Sequence, residues 1–504
     1  MIRPRTARPQ AATAAALSLA ALLCACSGKD EPARPNVVLI SIDSLRPDHL
    51  GCYGYRRATS PEIDRFAREG MLFESHFSSA PWTLPAHAAL FTSVPDSVHG
   101  LVDPVGLRLA DEWETLPESF QRAGYRTAGF FAGPYLHPSF GFGQGFDSYE
   151  DCASTTGDAA VDEEGRWSED ADVMKASHRG VTNNGVYARW RAVLDEVAPV
   201  GGTQDEPLFA FVHLWDVHFD FTPPAPFDTM FDPGYEGRIT GRDFFWDQRI
   251  NALLPERDKQ HIVALYDGEI RWTDTFIGRI RADLEERGMA DNTIVVLTAD
   301  HGTELFDHGG KGHRTTLYDE QIKIPLIVWW PGRIAPDRHD SVTRMIDVGP
   351  TLRDLCGLPA VQTTMGQSLA PLARGETNLP LGAPAVVELM SAARNLRAIR
   401  TNTDKLVHNA HTDQYAWYEL VSDPGEREAR PVGEDQRSVT LLEQYEEIAA
   451  ELAEAVLGLG FGPSAADVPD AVRKSLRGLG YFANPSEPER DGGSKRDGGS
   501  EDGR

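Results

Sequence analysis

The 504-residue chain, 41% hydrophobic and 9% aromatic, can bury a large core in one big domain or two unequal ones. Its 49 Lys and Arg against 76 Asp and Glu give a net charge of −27, which argues against nucleic acid as a partner and otherwise serves solubility. Of the 5 cysteines, Cys52, Cys152 and Cys356 are odd in number and far apart, which excludes a disulfide framework and zinc-finger spacing.

The N-terminus reads as a targeting segment. Arg3, Arg5 and Arg8 precede an apolar run at 11–23 that is too short to span a bilayer. It ends in Leu23-Cys24-Ala25-Cys26, which resembles the lipobox of bacterial lipoproteins. On this reading residues 1–25 are a signal peptide, Cys26 is the lipidated first residue of the mature chain, and 26–35 form a polar tether. The expectation is an exported protein of the cell envelope, periplasmic or at the cell surface, touching membrane only through its lipid. Simple secretion is the alternative.

Residues 36–42 (NVVLISI) form a continuous apolar, β-branched run, the pattern of a central parallel strand buried on both faces. Residues 60–70 (SPEIDRFAREG) predict a helix with a Ser cap, Pro at its first position and a Gly stop. Strands are predicted at 73–77, 125–131, 207–214, 293–298 and 326–330, with helices at 115–123 and, long and amphipathic, at 253–287. Strands alternating with helices predict a doubly wound α/β catalytic domain over 36–383. The polar, acidic stretch 151–172 reads as a surface insertion. From 384 to 482, short strand-like runs (385–389, 396–401, 415–420) and a helix at 439–457 predict a small antiparallel subdomain. The tail at 483–504, with Arg-Asp-Gly-Gly-Ser repeated, reads as disordered.

Three stretches carry chemistry. Pro85 should stop any preceding strand, and residues 86–91 then read as the opening turns of a buried helix. That places Thr83 just before a helix N-terminus, where unpaired N–H groups and the dipole favour an anion. Its hydroxyl either bonds only local backbone or acts as an alkoxide on an anionic ester. Asp43 ends the first strand, and Asp300-His301-Gly302 follow another buried strand. Ligands bind at the carboxyl ends of strands in open α/β sheets, and carboxylates with an imidazole suit a divalent cation.

Asp43-Ser44-Leu45-Arg46-Pro47-Asp48, the Thr83 stretch, Thr298 to Gly302, His308-Gly309, Gly312-His313 and the later Asp347-Val348-Gly349-Pro350-Thr351-Leu352 together resemble the sulfatases of the alkaline phosphatase superfamily, over roughly residues 35–430. The resemblance implies an alkaline-phosphatase-like α/β sandwich with a central mixed sheet, a small C-terminal antiparallel subdomain and one divalent metal ion. It makes Asp43, Thr83, Asp300 and His301 the metal ligands and Thr83 the nucleophile. His218 matches the histidine that faces the leaving group, and His313 the residue that contacts the substrate's charged oxygens. Lys311 is a further candidate for that contact. His213 reads as structural, and His308 as either orienting or merely solvated.

The departures from the family pattern are informative. Where the family signature has an oxidisable Cys or Ser, then Pro two residues on and Arg four on, this chain has Thr83, Pro85 and His87. Threonine is not a substrate for oxidation to formylglycine, so water or another acceptor must attack a covalent threonine ester. The family's Asp-Asp pair is Asp43-Ser44 here. The expected activity is metal-dependent hydrolysis of a small-molecule or glycan anionic ester, phosphate or phosphonate ahead of sulfate, with Ca, Mn or Zn as the metal. Two alternatives are a phosphoglycerol- or phosphoethanolamine-type transferase and a retired hydrolase acting as an envelope binding protein. Aromatic residues between 219 and 255 are expected to wall the substrate side.

Overall fold

A computed structural model describes residues 34–102, 106–152, 182–376, 382–391, 393–470, 472–473 and 476. The predicted signal peptide, Cys26, nearly all of the tether and of the acidic insertion, and the C-terminal tail lie outside them. Among the described residues no helix is long and apolar enough to cross a membrane.

In chain order the catalytic part comprises β1 (Asn36–Ile42), α1 (Pro61–Glu69), β2 (Met71–Phe77), α2 (Thr83–Thr92), α3 (Leu116–Arg122), β3 (Arg126–Phe131), β4 (Ser148–Asp151), α4 (Asn183–Val197), β5 (Leu208–Leu214), α5 (Glu256–Glu286), β6 (Thr293–Ala299), β7 (Lys323–Trp329) and β8 (Asp337–Arg344). The eight strands form one sheet in the order β8-β2-β7-β6-β1-β5-β3-β4. Its pairings are parallel except those of β7, which runs against both β2 and β6. The result is a mixed sheet with β1 near its centre, and every residue of β1 is buried.

Helices cover both faces because successive strand residues point to opposite sides. Phe209 and Phe211 of β5 share one face and meet Phe120 of α3 (4.5 Å between ring centroids) and Phe91 of α2 (5.0 Å). The helices α1 and α4 each pack on α5. α2 is buried at all ten positions, as expected of a helix apolar all round.

The C-terminal part is a four-stranded antiparallel meander, β9 (Ala385–Met390), β10 (Asn395–Arg400), β11 (Asp404–Asn409) and β12 (Gln414–Glu419), followed by α6 (Gln436–Leu459). Ile399, Leu406, Trp417, Leu441 and Tyr445 make its own small core, and Val387 and Leu389 join the main one.

Three sequence expectations need correction. Thr83 is the first residue of α2, not the residue before it; Trp82 is the cap. Pro85 fits in the first turn because N–H groups there have no intrahelical acceptor. The long helix begins at Glu256, after Pro255, and leaves Leu253 92% exposed in the turn before it. The strands β8 and β11 were not anticipated. β8 (DRHDSVTR) is a polar edge strand whose outer residues face solvent, so no apolar period marks it.

Candidate active site

β1 lies between β5 and β6, and Ile42 pairs with both Leu214 and Ala299. The next residues along β1 and β6, Asp43 and Asp300, therefore emerge side by side at the carboxyl edge of the sheet. The Asp43 N–H donates to the Leu214 carbonyl at 2.9 Å, which fixes where the chain leaves the sheet. Gly302 allows the second loop to turn inward: a Cβ there would stand 2.2 Å from the Glu320 carbonyl oxygen.

Asp43, Asp300 and His301 are each fully buried and offer donor atoms within 4.8 Å of one another. The His301 Nδ1–H donates to the Gly302 carbonyl at 2.8 Å, so Nε2 presents its lone pair to the cluster. That nitrogen is 3.3 Å from Asp300 Oδ2, 3.7 Å from Asp43 Oδ1 and 3.3 Å from Thr83 Oγ1. Thr83 Oγ1 also lies 3.4 Å from Asp43 Oδ2. Ser44, in the left-handed region at φ 58°, donates its hydroxyl to Asp43 Oδ1 at 2.8 Å and its N–H to Asp300 Oδ1 at 3.2 Å. Ser44 thus orients both carboxylates.

Burial raises the pKa of Asp43, which His301 opposes, and burial with the Asp43 charge raises that of Asp300. Among the described residues neither carboxylate pairs with Lys or Arg, and Asp300 Oδ2 is buried without a hydrogen-bond partner. Two desolvated carboxylates, an imidazole lone pair and a hydroxyl aimed at one point are a donor set that fits a divalent cation.

The other candidates separate. The His218 ring is held between Trp215 (4.0 Å) and Phe219 (4.1 Å), and its Nδ1–H donates to the Phe219 carbonyl at 2.7 Å. His313 stands 5.0 Å from His218 and 4.3 Å from His301, ring to ring, so the three rings form a row that reaches Thr83 Oγ1 through His301 at 3.3 Å. Burial, then His301 and His218, hold the His313 pKa well below its usual value.

Lys311 does not join this group. Its Nζ donates to the carbonyls of Phe244 (2.7 Å) and Asp247 (3.1 Å) and so anchors the aromatic loop. His87 is likewise behind the site. Its Nδ1–H donates to the Thr83 carbonyl at 2.9 Å and its Nε2 accepts from Ser41 Oγ at 3.0 Å, and burial pushes its pKa down to about 3. A neutral, fully buried imidazole can brace the Thr83 backbone but carries no positive charge into the site. His308 is structural, bonded to Glu320 Oε1 (2.6 Å) and to the Glu426 carbonyl (3.1 Å).

Arg314 was not anticipated. Its N–H donates to the Pro81 carbonyl at 3.0 Å, and its guanidinium sits 4.1 Å over the Trp82 ring. It places a fixed positive charge over the residue that precedes Thr83; the only signal in the sequence was its place after His313. Of the aromatic segment, Phe245 stacks on Phe219 (5.6 Å, 14°), while Phe221 and Phe244 are core.

The profile of the family described as Sulfatase matches residues 35–358, and that of N-sulphoglucosamine sulphohydrolase, C-terminal, matches 307–456. An N-acetylglucosamine-6-O-sulfatase of Bacteroides thetaiotaomicron is 26% identical over 482 residues, spanning 82% of this chain and 85% of that protein. A solved structure in complex with its substrate D-glucosamine-2-N,6-O-disulfate shares the fold, with TM-score 0.67 and 20% identity over 84% of this chain and 98% of that one. So does the phosphonate monoester hydrolase SpPMH from Silicibacter pomeroyi, with TM-score 0.65 and 21% identity over 86% of this chain and 100% of that one.

Proposed function

The chain belongs to the sulfatase family of the alkaline phosphatase superfamily and is an ester hydrolase, and we propose that it cleaves phosphate or phosphonate esters in preference to sulfate esters, with Thr83 as nucleophile. The observation that carries this reading is the Thr83 hydroxyl at the N-terminus of a buried helix, within 3.4 Å of Asp43 Oδ2 and His301 Nε2.

Asp43, Thr83, Asp300 and His301 would hold a divalent cation, which when bound lowers the pKa of a ligated hydroxyl and withdraws charge from an ester oxygen. Thr83 Oγ1 attacks the phosphorus, and the bond to the leaving oxygen breaks as His218 Nε2 hands that oxygen a proton. Arg314 and His313 hold the oxygens that gather charge. Water then attacks the phosphorus of the threonine ester, His218 Nε2 takes its proton, and the bond from phosphorus to Thr83 Oγ1 breaks, returning the threonine oxygen as the alkoxide. The threonine Cβ carries a methyl group, so an aldehyde hydrate, which would release sulfate by elimination, is unavailable. Release must occur by attack at the central atom, a route phosphoryl transfer follows readily. Proteins of this fold bear both sulfatase and phosphonate monoester hydrolase names, so the nucleophile supports the choice between them.

The test uses the full chain loaded with Mn²⁺ or Zn²⁺ and matched 4-nitrophenyl phosphate, phenylphosphonate and sulfate. The parent should favour the phosphorus esters, and Thr83→Ala should lower kcat/KM by about 10³-fold or more while retaining its fold. Activity within tenfold of the parent would remove Thr83 from the mechanism, and a preference for sulfate would overturn the substrate class.

A further inference from the structure

His213 interrupts an otherwise apolar β5, LFAFVHL, near the carboxyl end of the strand, and it is fully buried. It pairs in register with Ser41, and its ring meets that of His87 edge-on at 5.1 Å. The Ala132 carbonyl accepts a weak hydrogen bond from the ring, and neither ring nitrogen has a partner at ordinary hydrogen-bond geometry. A buried imidazole left in that state costs free energy that Val, Leu or Phe at this position would avoid.

The surroundings indicate what compensates. His213 Nε2 stands 3.5 Å from Asp43 Oδ2, a separation ordinary for two donor atoms on one ion but long for a hydrogen bond. His213, His87 and Asp300 also offer donor atoms within 4.8 Å of one another. His87 is already committed at both nitrogens, whereas Asp300 Oδ2 and His213 Nε2 have no hydrogen-bond partner. His213 therefore reaches both carboxylates, Asp43 at 3.5 Å and Asp300 within 4.8 Å.

Resting on the metal centre proposed above, we propose that His213 is an additional nitrogen donor to its cation. Two imidazoles, two carboxylates and a hydroxyl then form a set that selects a borderline first-row transition ion over calcium. Calcium takes six to eight oxygen ligands, while imidazole suits the manganese-to-zinc series. Ser44 contributes in the same direction, because it bonds the two carboxylates with a neutral group and adds no anionic oxygen.

Metal binding decides this without an activity assay. The full-length apoprotein, its His213→Phe and His213→Gln variants and an Asp300→Asn control are titrated with Zn²⁺ and with Ca²⁺ against a chromophoric chelator. The visible absorption of the Co²⁺ form is recorded for each. The parent should bind one Zn²⁺ at least about 100-fold more tightly than Ca²⁺. His213→Phe should weaken Zn²⁺ binding about 10- to 100-fold, change Ca²⁺ binding less than about threefold, and alter the Co²⁺ spectrum. If His213→Phe fails to fold by circular dichroism, His213→Gln decides by the same signs. Zn²⁺ affinity within about twofold of the parent, with an unchanged Co²⁺ spectrum, overturns the role of His213 alone. A parent that binds no ion, indistinguishable from Asp300→Asn, overturns the metal centre itself.

Discussion

His218 shows how one side chain can be set for one task. Trp215 and Phe219 pack against its ring, and the Phe219 carbonyl occupies Nδ1, so the mechanism proposed above assigns proton exchange to Nε2. A general acid of this kind matters in proportion to the basicity of the leaving oxygen. His218→Ala should therefore lower turnover of alkyl esters by about 10²- to 10⁴-fold, and turnover of 4-nitrophenyl esters much less. Measuring kcat/KM against leaving-group pKa for parent and variant checks this; parallel slopes would assign the proton to another group. Its position after Trp215-Asp216-Val217 was legible as a motif, but the ring orientation comes from neighbours that fold against it.

Asp216 joins three elements near the same point. Its carboxylate accepts from the Thr182 N–H (2.6 Å) and hydroxyl (2.5 Å), from the Asn183 N–H (3.0 Å) and from Trp272 Nε1 (2.9 Å). It thereby closes the N-terminus of α4 and ties it to α5, two residues before His218. Burial raises its pKa, and those four donors oppose the shift. Asp216→Ala should cost about 3 kcal/mol, since donors once paired with a charged acceptor become unpaired. It should also lower kcat more than it raises KM while leaving metal content unchanged. Asp216→Asn, which still offers one carbonyl oxygen, should recover part of both losses. Denaturation midpoints and metal analysis on the same preparations separate this positioning role from a catalytic one: a kcat loss that Asp216→Asn does not relieve would contradict it.

Across the whole molecule, the C-terminal sheet grips the loop that carries His313. Lys405 of β11 is completely buried, with Nζ bonded to Asp319 Oδ1 (2.6 Å), the Leu317 carbonyl (2.9 Å) and Glu426, while Arg400 pairs with Asp319 Oδ2 at 2.9 Å. Removing one partner of such a buried set leaves uncompensated charge, so Lys405→Met should destabilise by about 3–5 kcal/mol. Burial alone would raise the Asp319 pKa, but Arg400 and Lys405 together hold it well below the usual carboxylate range. A carboxyl depressed in the folded state stabilises fully above its unfolded pKa of about 3.9 and loses that contribution as pH falls toward its folded value. The stability gap between the parent and Asp319→Asn should thus shrink as pH falls below about 4. Urea midpoints on either side of that pH test it, and a gap that widens on acidification would reverse the assignment.

The sequence alone determined the frame and the cluster at its edge. An apolar run such as NVVLISI has few ways to bury seven residues, and Asp43, Asp300 and His301 follow such runs directly, so strand geometry places them. Direction in loops and exposure at edges were not legible, because both depend on contacts distant in sequence. Lys311 and His313 are two residues apart, yet one reaches the carbonyls of Phe244 and Asp247 and the other faces His301. His87 and Thr83 share one turn of α2, yet one lies behind the other. β8 is a strand only because β2 offers it an edge. The position of His213 beside Asp43 needed the register of β5 against β1, which long-range pairing of backbone groups decides and local composition does not.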